Sequence, residues 1–136
     1  MYLLDTNICI YAIKGKYPGI AEKLLSINPE NIKISAITLF ELEYGISKSR
    51  WGRRSRLALQ TFLAAFDIID FTPEDARLCG ELRASLEKSG MPIGAYDIMI
   101  AAQGITRNLK VVTHNTSEFE RISGIKLEDW ANGQKR

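Results

Sequence analysis

Apolar positions along this chain switch repeatedly between short β-branched runs and stripes at helical spacing. Tyr2 to Leu4 is an apolar run that ends at Asp5-Thr6-Asn7, and Ile8, Tyr11 and Ala12 follow three and four positions apart, which predicts a strand, a tight turn and a helix. Ile20, Leu24 and Ile27 mark a second helix, Ile32 to Ala36 a strand, Thr38 to Ile46 a third helix, Leu57 to Ala65 a fourth, and the alternation of Phe66 to Phe71 a strand. Thr72-Pro73-Glu74-Asp75 places a capping hydroxyl, a first-turn proline and two acids at a helix start, with the matching stop at Lys88-Ser89-Gly90 and an inward stripe of Cys79, Leu82 and Leu86. Ile98, Ala101, Ala102 and Ile105 repeat the stripe in a helix ending near Arg107; Lys110 to Thr113 and Lys126 to Trp130 are the last strands. Strands that alternate with helices pair in parallel through right-handed crossovers, so the expected fold is α/β, a three-layer α/β/α sandwich with a central parallel sheet. No linker, repeat or low-complexity tract interrupts residues 1–136, so a single domain is expected.

Composition narrows the class without naming a function. The chain is 46% apolar and 25% charged, which excludes wholesale disorder and collagen-like repetition. Two cysteines, Cys9 and Cys79, sit among apolar neighbours and read as buried reduced thiols, which suits a reducing cytoplasm. The opening residues lack the pattern of a secretory signal, and no stretch approaches a membrane span. A net charge of +2 is too small to argue for nucleic acid by itself. The excess is nevertheless concentrated at Lys48, Arg50, Arg53, Arg54 and Arg56, around Trp51, where phosphate contacts with RNA and a plain solvated or partner-facing connection are equally good readings.

Carboxylates in apolar company carry more information. Asp5 is the sole charge among residues 1–13, and Asp97 the sole charge from Ser89 to Thr106. An unpaired buried carboxylate costs several kcal/mol or is driven neutral, so such acids imply a cation or donors nearby. Helix capping is the competing account, a good one for Asp5 and a poorer one for Asp97, since Gly94 to Tyr96 already offers a helix start. Thr38-x-x-Glu41 reads as a capping box, and Glu43, about 200° further round the helix, leaves open which acid faces inward. Asn115 and Glu118 taken alone read as a turn with a solvated acid. Together, Asp5, Asn115 and Glu118 follow strand ends while Glu41 and Asp97 open helices reaching the same edge, where parallel sheets bind ligands. All-oxygen donors without a His/Cys set point to Mg²⁺ or Mn²⁺ rather than zinc.

Four segments in order then resemble one family. Met1-Tyr2-Leu3-Leu4-Asp5-Thr6-Asn7-Ile8, Ser35-x-x-Thr38-x-x-Glu41-Leu42-x-x-Gly45, Pro92-Ile93-Gly94-x-x-Asp97-x-x-Ile100-Ala101 and Val112-Thr113-x-Asn115-Thr116-x-Glu118-Phe119-x-Arg121-Ile122 are similar to the PIN-domain ribonucleases, and within them to the VapC toxins of bacterial VapBC toxin–antitoxin pairs. The resemblance implies that Asp5, Glu41 and Asp97 bind metal and act catalytically with Glu118, and that Asn7, Thr113 and Asn115 give polar support. Many relatives carry an aspartate where this chain has Asn115, so the fourth acidic position falls between Asn115 and Glu118. The implied chemistry is metal-dependent hydrolysis of an RNA phosphodiester to a 5′-phosphate and a 3′-hydroxyl, with Mg²⁺ or Mn²⁺ activating water. The implied partners are an RNA, by family habit a tRNA and in some relatives the initiator tRNA, a VapB-type antitoxin, and a second copy of the chain within a higher assembly. His114, the only histidine, reads as a loop residue beside the site.

Two rival functions compete with a nuclease. Asp5 as the nucleophile of a haloacid-dehalogenase-like phosphatase would want an aspartate two positions later, where Asn7 stands. A non-catalytic RNA-binding or receiver-like module would, as a receiver, want paired acids after the first strand and a lysine after a late one, and the chain has neither.

Overall fold

Five short strands, β1 (Tyr2–Leu4), β2 (Ile32–Ser35), β3 (Asp67–Ile69), β4 (Lys110–Val112) and β5 (Leu127–Glu128), form one sheet in the order β3-β2-β1-β4-β5 in the computed structural model, which describes residues 1–50 and 52–131. Every neighbouring pair is parallel, with Leu4 level with Ile34 on one side and Val112 on the other. The helices are α1 (Thr6–Lys14), α2 (Pro18–Ser26), α3 (Ala36–Lys48), α4 (Gly52–Leu63), α5 (Pro73–Lys88), α6 (Ala95–Thr106) and the one-turn α7 (Thr116–Phe119).

Alternation along the strands sends successive side chains to opposite faces and so builds two cores. Leu3 and Val111 pack with Leu86 of α5 and Ile98 and Ala101 of α6. Leu4, Ile32, Ile34 and Val112 pack with Ile8, Ile20, Leu42 and Leu59 of α1 to α4. The expected three layers are therefore present. Gly104 lets α6 lie flat on the sheet, because a Cβ there would stand 2.6 Å from Val111 Cγ2. Trp130 is buried, its ring edge-on to Tyr2 at 5.3 Å and its indole N–H donating to Glu128 Oε1 at 2.9 Å.

The structure departs from the expectations at places where tertiary contacts outweigh local signals. Helix α3 starts at Ala36, not Thr38, because Ser35 caps it by accepting from the Ile37 N–H at 2.9 Å. Thr38 is thereby a buried first-turn residue and no capping box forms with Glu41. Helix α4 begins at Gly52 rather than Leu57, which places Arg53, Arg54 and Arg56 on helical backbone. The strand expected over residues 66–71 shrinks to Asp67–Ile69, and that over residues 126–130 to Leu127–Glu128. Cys9 is buried as expected, but Cys79 is only half-buried, lying at the margin of the core on α5. At Thr72 the expected capping box is complete, Thr72 accepting from the Asp75 N–H and Asp75 from the Thr72 N–H.

Two buried polar residues tie separate elements together. The Ser35 hydroxyl donates to Gln103 Oε1 at 2.5 Å and the Gln103 amide donates to the Asp70 carbonyl at 3.0 Å, which joins the start of α3 and the exit of β3 to α6. Asp75 accepts from Arg107 at 2.8 Å and Thr106 at 2.6 Å. Burial alone would push its carboxyl up, but these bonds and those of Thr72 more than offset that and hold it at about 2.

Candidate active site

Strand order reverses at β1, from which the chain builds the sheet first one way through β2 and β3 and then the other way through β4 and β5, so the carboxyl ends of β1 and β4 frame a topological switch point. Asp5 leaves β1 there and Thr113 leaves β4. The Asp5 N–H still pairs with the Val112 carbonyl at 3.0 Å, while its side chain caps α1 by accepting from the Ile8 N–H at 2.9 Å. Asp5 is 3% exposed. Burial raises its carboxyl to about 6 against the lowering bonds from Thr113 and Ile8, and the charges of Asp97 and Glu41 add to the rise. Capping and gathering with other acids thus coexist in one side chain, since the cap occupies Oδ1.

Glu41 and Asp97 come to the same edge on α3 and α6. The Thr6 hydroxyl, one residue beyond Asp5, donates to Glu41 Oε1 at 2.5 Å and stands 3.1 Å from the Thr38 hydroxyl. Glu43 points elsewhere, held by Arg56 at 2.6 and 3.1 Å, and that guanidinium lowers its carboxyl below the usual range. Asp97 sits in the first turn of α6 after Gly94, which supplies no side-chain cap. Its carboxyl is raised to about 6, first by burial and then by the charges of Glu118 and Glu41.

The segment after β4 is more ordered than a simple turn. Asn115 precedes α7, its N–H donating to the Thr113 hydroxyl at 2.9 Å, and α7 presents Glu118 half-buried towards Asp97 while Phe119 anchors the turn in the core. Nothing in Thr116-Ser117-Glu118 announces a helix, and the buried Phe119 that ends the turn supplies the reason for it. Asn7 is exposed on the first turn of α1, facing a cleft it shares with Glu41. His114 turns from the acids: its Nδ1 lies 3.1 Å from Asp129 Oδ2 and its ring stands against Tyr17 and Tyr11. Thr6 and Thr38 are the polar residues that sequence reasoning did not single out as site members, though both lie inside the quoted motifs.

The acids are near enough to raise one another, yet among the described residues no three His, Cys, Asp or Glu side chains are arranged to enclose a metal ion as they stand. Their donor chemistry still fits a hard divalent cation, with oxygen ligands only and two carboxyls whose charge the fold penalises. Of the basic segment, Arg50, Arg53, Arg54 and Arg56 are all exposed, but Arg56 is engaged with Glu43. Arg54 lines a cleft of about 420 Å³ between α1, α3 and α4 that opens beside Glu41.

A parallel sheet with carboxylates from four separate segments at its switch point defines the class, and the PIN domain matches residues 2–125: the chain belongs to the PIN-domain family. Within that family it belongs to the VapC ribonucleases. It is 43% identical over 129 residues to the tRNA(fMet)-specific endonuclease VapC of Salmonella typhimurium, covering 95% of this chain and 97% of that one. It is 40% identical over 130 residues to the enzyme of the same name from Shigella flexneri, covering 96% and 98%. In three dimensions it matches the crystal structure of VapBC2 from Rickettsia felis bound to a promoter DNA fragment, with a TM-score of 0.89, 41% identity and coverage of 95% and 98%. These likenesses replace the phosphatase and receiver-like readings. Among the described residues no helix is long and apolar enough to cross a membrane.

Proposed function

We propose that this chain is the endoribonuclease toxin of a VapBC pair and hydrolyses RNA phosphodiester bonds with Mg²⁺, or Mn²⁺ in its place, held by Asp5, Glu41 and Asp97, with Glu118 completing the acidic set. The observation that carries the reading is the convergence of these four acids at one sheet edge, two of them with carboxyls raised to about 6. When bound, the ion supplies positive charge to the phosphate oxygens and makes water a better nucleophile near neutral pH. The chain's own residues prepare that site. Ile8 N–H and Thr113 orient Asp5, Thr6 orients Glu41, and Glu118 sets its charge beside Asp97.

The substrate class is structured RNA, with tRNA favoured and initiator tRNA first to test, because the Salmonella and Shigella relatives are named tRNA(fMet)-specific. A VapB-type antitoxin is the expected silencing partner, since the Rickettsia and Salmonella structural relatives are VapBC complexes. A symmetric homodimer is expected on general grounds for such a chain. The test is cleavage of purified initiator and elongator tRNAs with Mg²⁺, with Mn²⁺ and with EDTA. Cleavage that stops in EDTA supports the reading; undiminished cleavage in chelator by a contaminant-free preparation overturns the metal mechanism, and no cleavage of any RNA with either ion overturns the nuclease.

A further inference from the structure

Two of the acids proposed to hold the ion stand on helices that one buried hydrogen bond joins. Ser35 ends β2 and caps α3, the helix of Glu41, while Gln103 lies on α6, the helix of Asp97. Both are fully buried, and the Ser35 hydroxyl donates to Gln103 Oε1 at 2.5 Å. Glu41 follows Ser35 by six residues and Asp97 precedes Gln103 by six, so each acid stands about 9 Å along its own helix from the shared bond. The helices touch again beside the acids, where Phe40 and Tyr96, each one residue before its acid, meet edge to face with centroids 5.6 Å apart. Contact between α3 and α6 therefore runs from the buried bond to the level of the carboxylates.

Glutamine is a costly residue for that place. Ile98, Ile100, Ala101 and Ala102 on the same helix are buried, and an amide in such company is tolerated only when both its ends are bonded. Oε1 accepts from Ser35, and Nε2 donates to the Asp70 carbonyl at 3.0 Å. That carbonyl also accepts from Arg107 at 2.8 Å, so it does not depend on the glutamine. The contact that only Gln103 makes is the one with Ser35. Apolar packing holds two helices close but tolerates sliding, whereas a directional bond allows one register. The neighbouring Gly104 sets how near α6 lies to β4, since a Cβ there would stand 2.6 Å from Val111 Cγ2, and it leaves the position along the helix axis to Gln103. There is also a force to resist. The charge of Glu41 acts on Asp97, and like charges push α3 and α6 apart in the metal-free chain.

Resting on the metal site proposed above, we infer that Ser35 and Gln103 are a positioning pair that fixes the register of α3 against α6 and so keeps Glu41 and Asp97 gathered for a divalent ion. Neither residue touches the ion or the RNA. The pair acts before the ion arrives, because ligands already held in place lose less freedom on binding and therefore bind more tightly.

The experiment compares Gln103→Met, Ser35→Ala and the double variant in the full chain, with Ser35→Thr as the change that keeps both the donor and the cap. Mn²⁺ affinity is measured by calorimetry without RNA, the Phe40–Tyr96 contact by nuclear Overhauser effects without metal, and kcat and KM on initiator tRNA. Gln103→Met and Ser35→Ala should each weaken Mn²⁺ binding about 2- to 30-fold and lower kcat by a similar factor with KM nearly unchanged. The ring-to-ring signal should weaken in both, and Ser35→Thr should restore all these readouts. The double variant separates position from stability. It leaves neither side chain of the pair unpaired, so its melting temperature should fall by less than the two single changes added, while its Mn²⁺ affinity stays low. Wild-type Mn²⁺ affinity and kcat in both single variants, whatever their melting temperatures, would overturn the positioning role and leave the nuclease intact. Mn²⁺ affinity that recovers together with stability in the double variant would also overturn it, reducing the pair to a structural bond. A wild type that binds no Mn²⁺ would refute the metal reading instead, and the ring-to-ring signal then decides the register: a weakened signal upholds the pair's hold on α3 and α6, and an unchanged one overturns it.

Discussion

Thr6 donates its hydroxyl hydrogen to Glu41 across the α1–α3 boundary at 2.5 Å, so the residue after Asp5 also aims the acid of a different helix. The bond couples two carboxylates that lie far apart in sequence. Thr6→Val keeps the shape and removes the donor, and should lower cleavage and Mn²⁺ affinity by about 10- to 100-fold, as loss of a ligand's orienting partner does. Thr6→Ser should retain most of both. Titration of Mn²⁺ against intrinsic fluorescence, with initial rates alongside, checks the pair; wild-type affinity in Thr6→Val would remove Thr6 from the site.

Glu41 and Glu43 should separate cleanly. Glu41→Gln is expected to abolish cleavage, whereas Glu43→Gln breaks only an exposed pair with Arg56 and should leave the rate unchanged with a small drop in melting temperature. Equal rates for the two variants would contradict the assignment of the inward acid.

Asp5 and Asp97 carry a pH signature. Both carboxyls rise from 3.8 to about 6 in the fold, first because of burial. The folded chain therefore holds protons more tightly than the unfolded chain, and metal-free stability is highest below about pH 4 and declines as pH rises to about 6. Asp5→Asn and Asp97→Asn should flatten that decline, leave the metal-free melting temperature at pH 7 equal or higher, and abolish cleavage. Asparagine still caps α1 at position 5, so a surviving activity would reduce Asp5 to a helix cap. For wild type, Mn²⁺ binding should weaken as pH falls below about 6, because protons then compete for the same oxygens.

The fourth position is tested by Glu118→Gln and Asn115→Asp. Glu118 faces Asp97 closely enough to raise it, so Glu118→Gln should reduce activity and lower the Asp97 titration midpoint seen by carboxyl NMR. Asn115→Asp adds charge to the same edge and should tighten Mn²⁺ binding. No change in either variant would confine the site to three acids.

Asp75 should act in stability alone. Its carboxyl lies at about 2 against an ordinary 3.8, so its contribution is complete above about pH 4 and is lost as pH falls towards 2. Asp75→Asn should cost about 2–4 kcal/mol at pH 7 by leaving Arg107 without its anion, and should remove that part of the acid transition. Urea unfolding followed by circular dichroism at pH 7 and pH 3 measures both effects; an equal cost at the two pH values would rule out the ion pair as its source.

Element order and layering were legible in the chain because they depend on local repetition: the two-residue period of Leu3-Leu4 and Val111-Val112 and the helical stripes of Cys79-Leu82-Leu86 and Ile98-Ala101-Ile105. The Thr72 cap was legible for the same reason, all its partners lying within four residues. The acids at strand ends and helix starts were legible as anomalies, single charges in apolar company. What only the tertiary structure decided depends on contacts between distant segments. Periodicity leaves Glu41 and Glu43 open and only the family likeness favours Glu41; the structure supplies the reason, since Thr6 meets one and Arg56 the other, 35 and 13 residues away. Gln103 is buried in an apolar helix because Ser35 and the Asp70 carbonyl reach it, and Glu118 joins the acids because Phe119 buries itself and folds a polar turn into α7. Periodicity reports which face a residue occupies relative to its own neighbours, whereas a site is made by faces of different elements meeting, and that meeting is set by the packing of helices on the sheet.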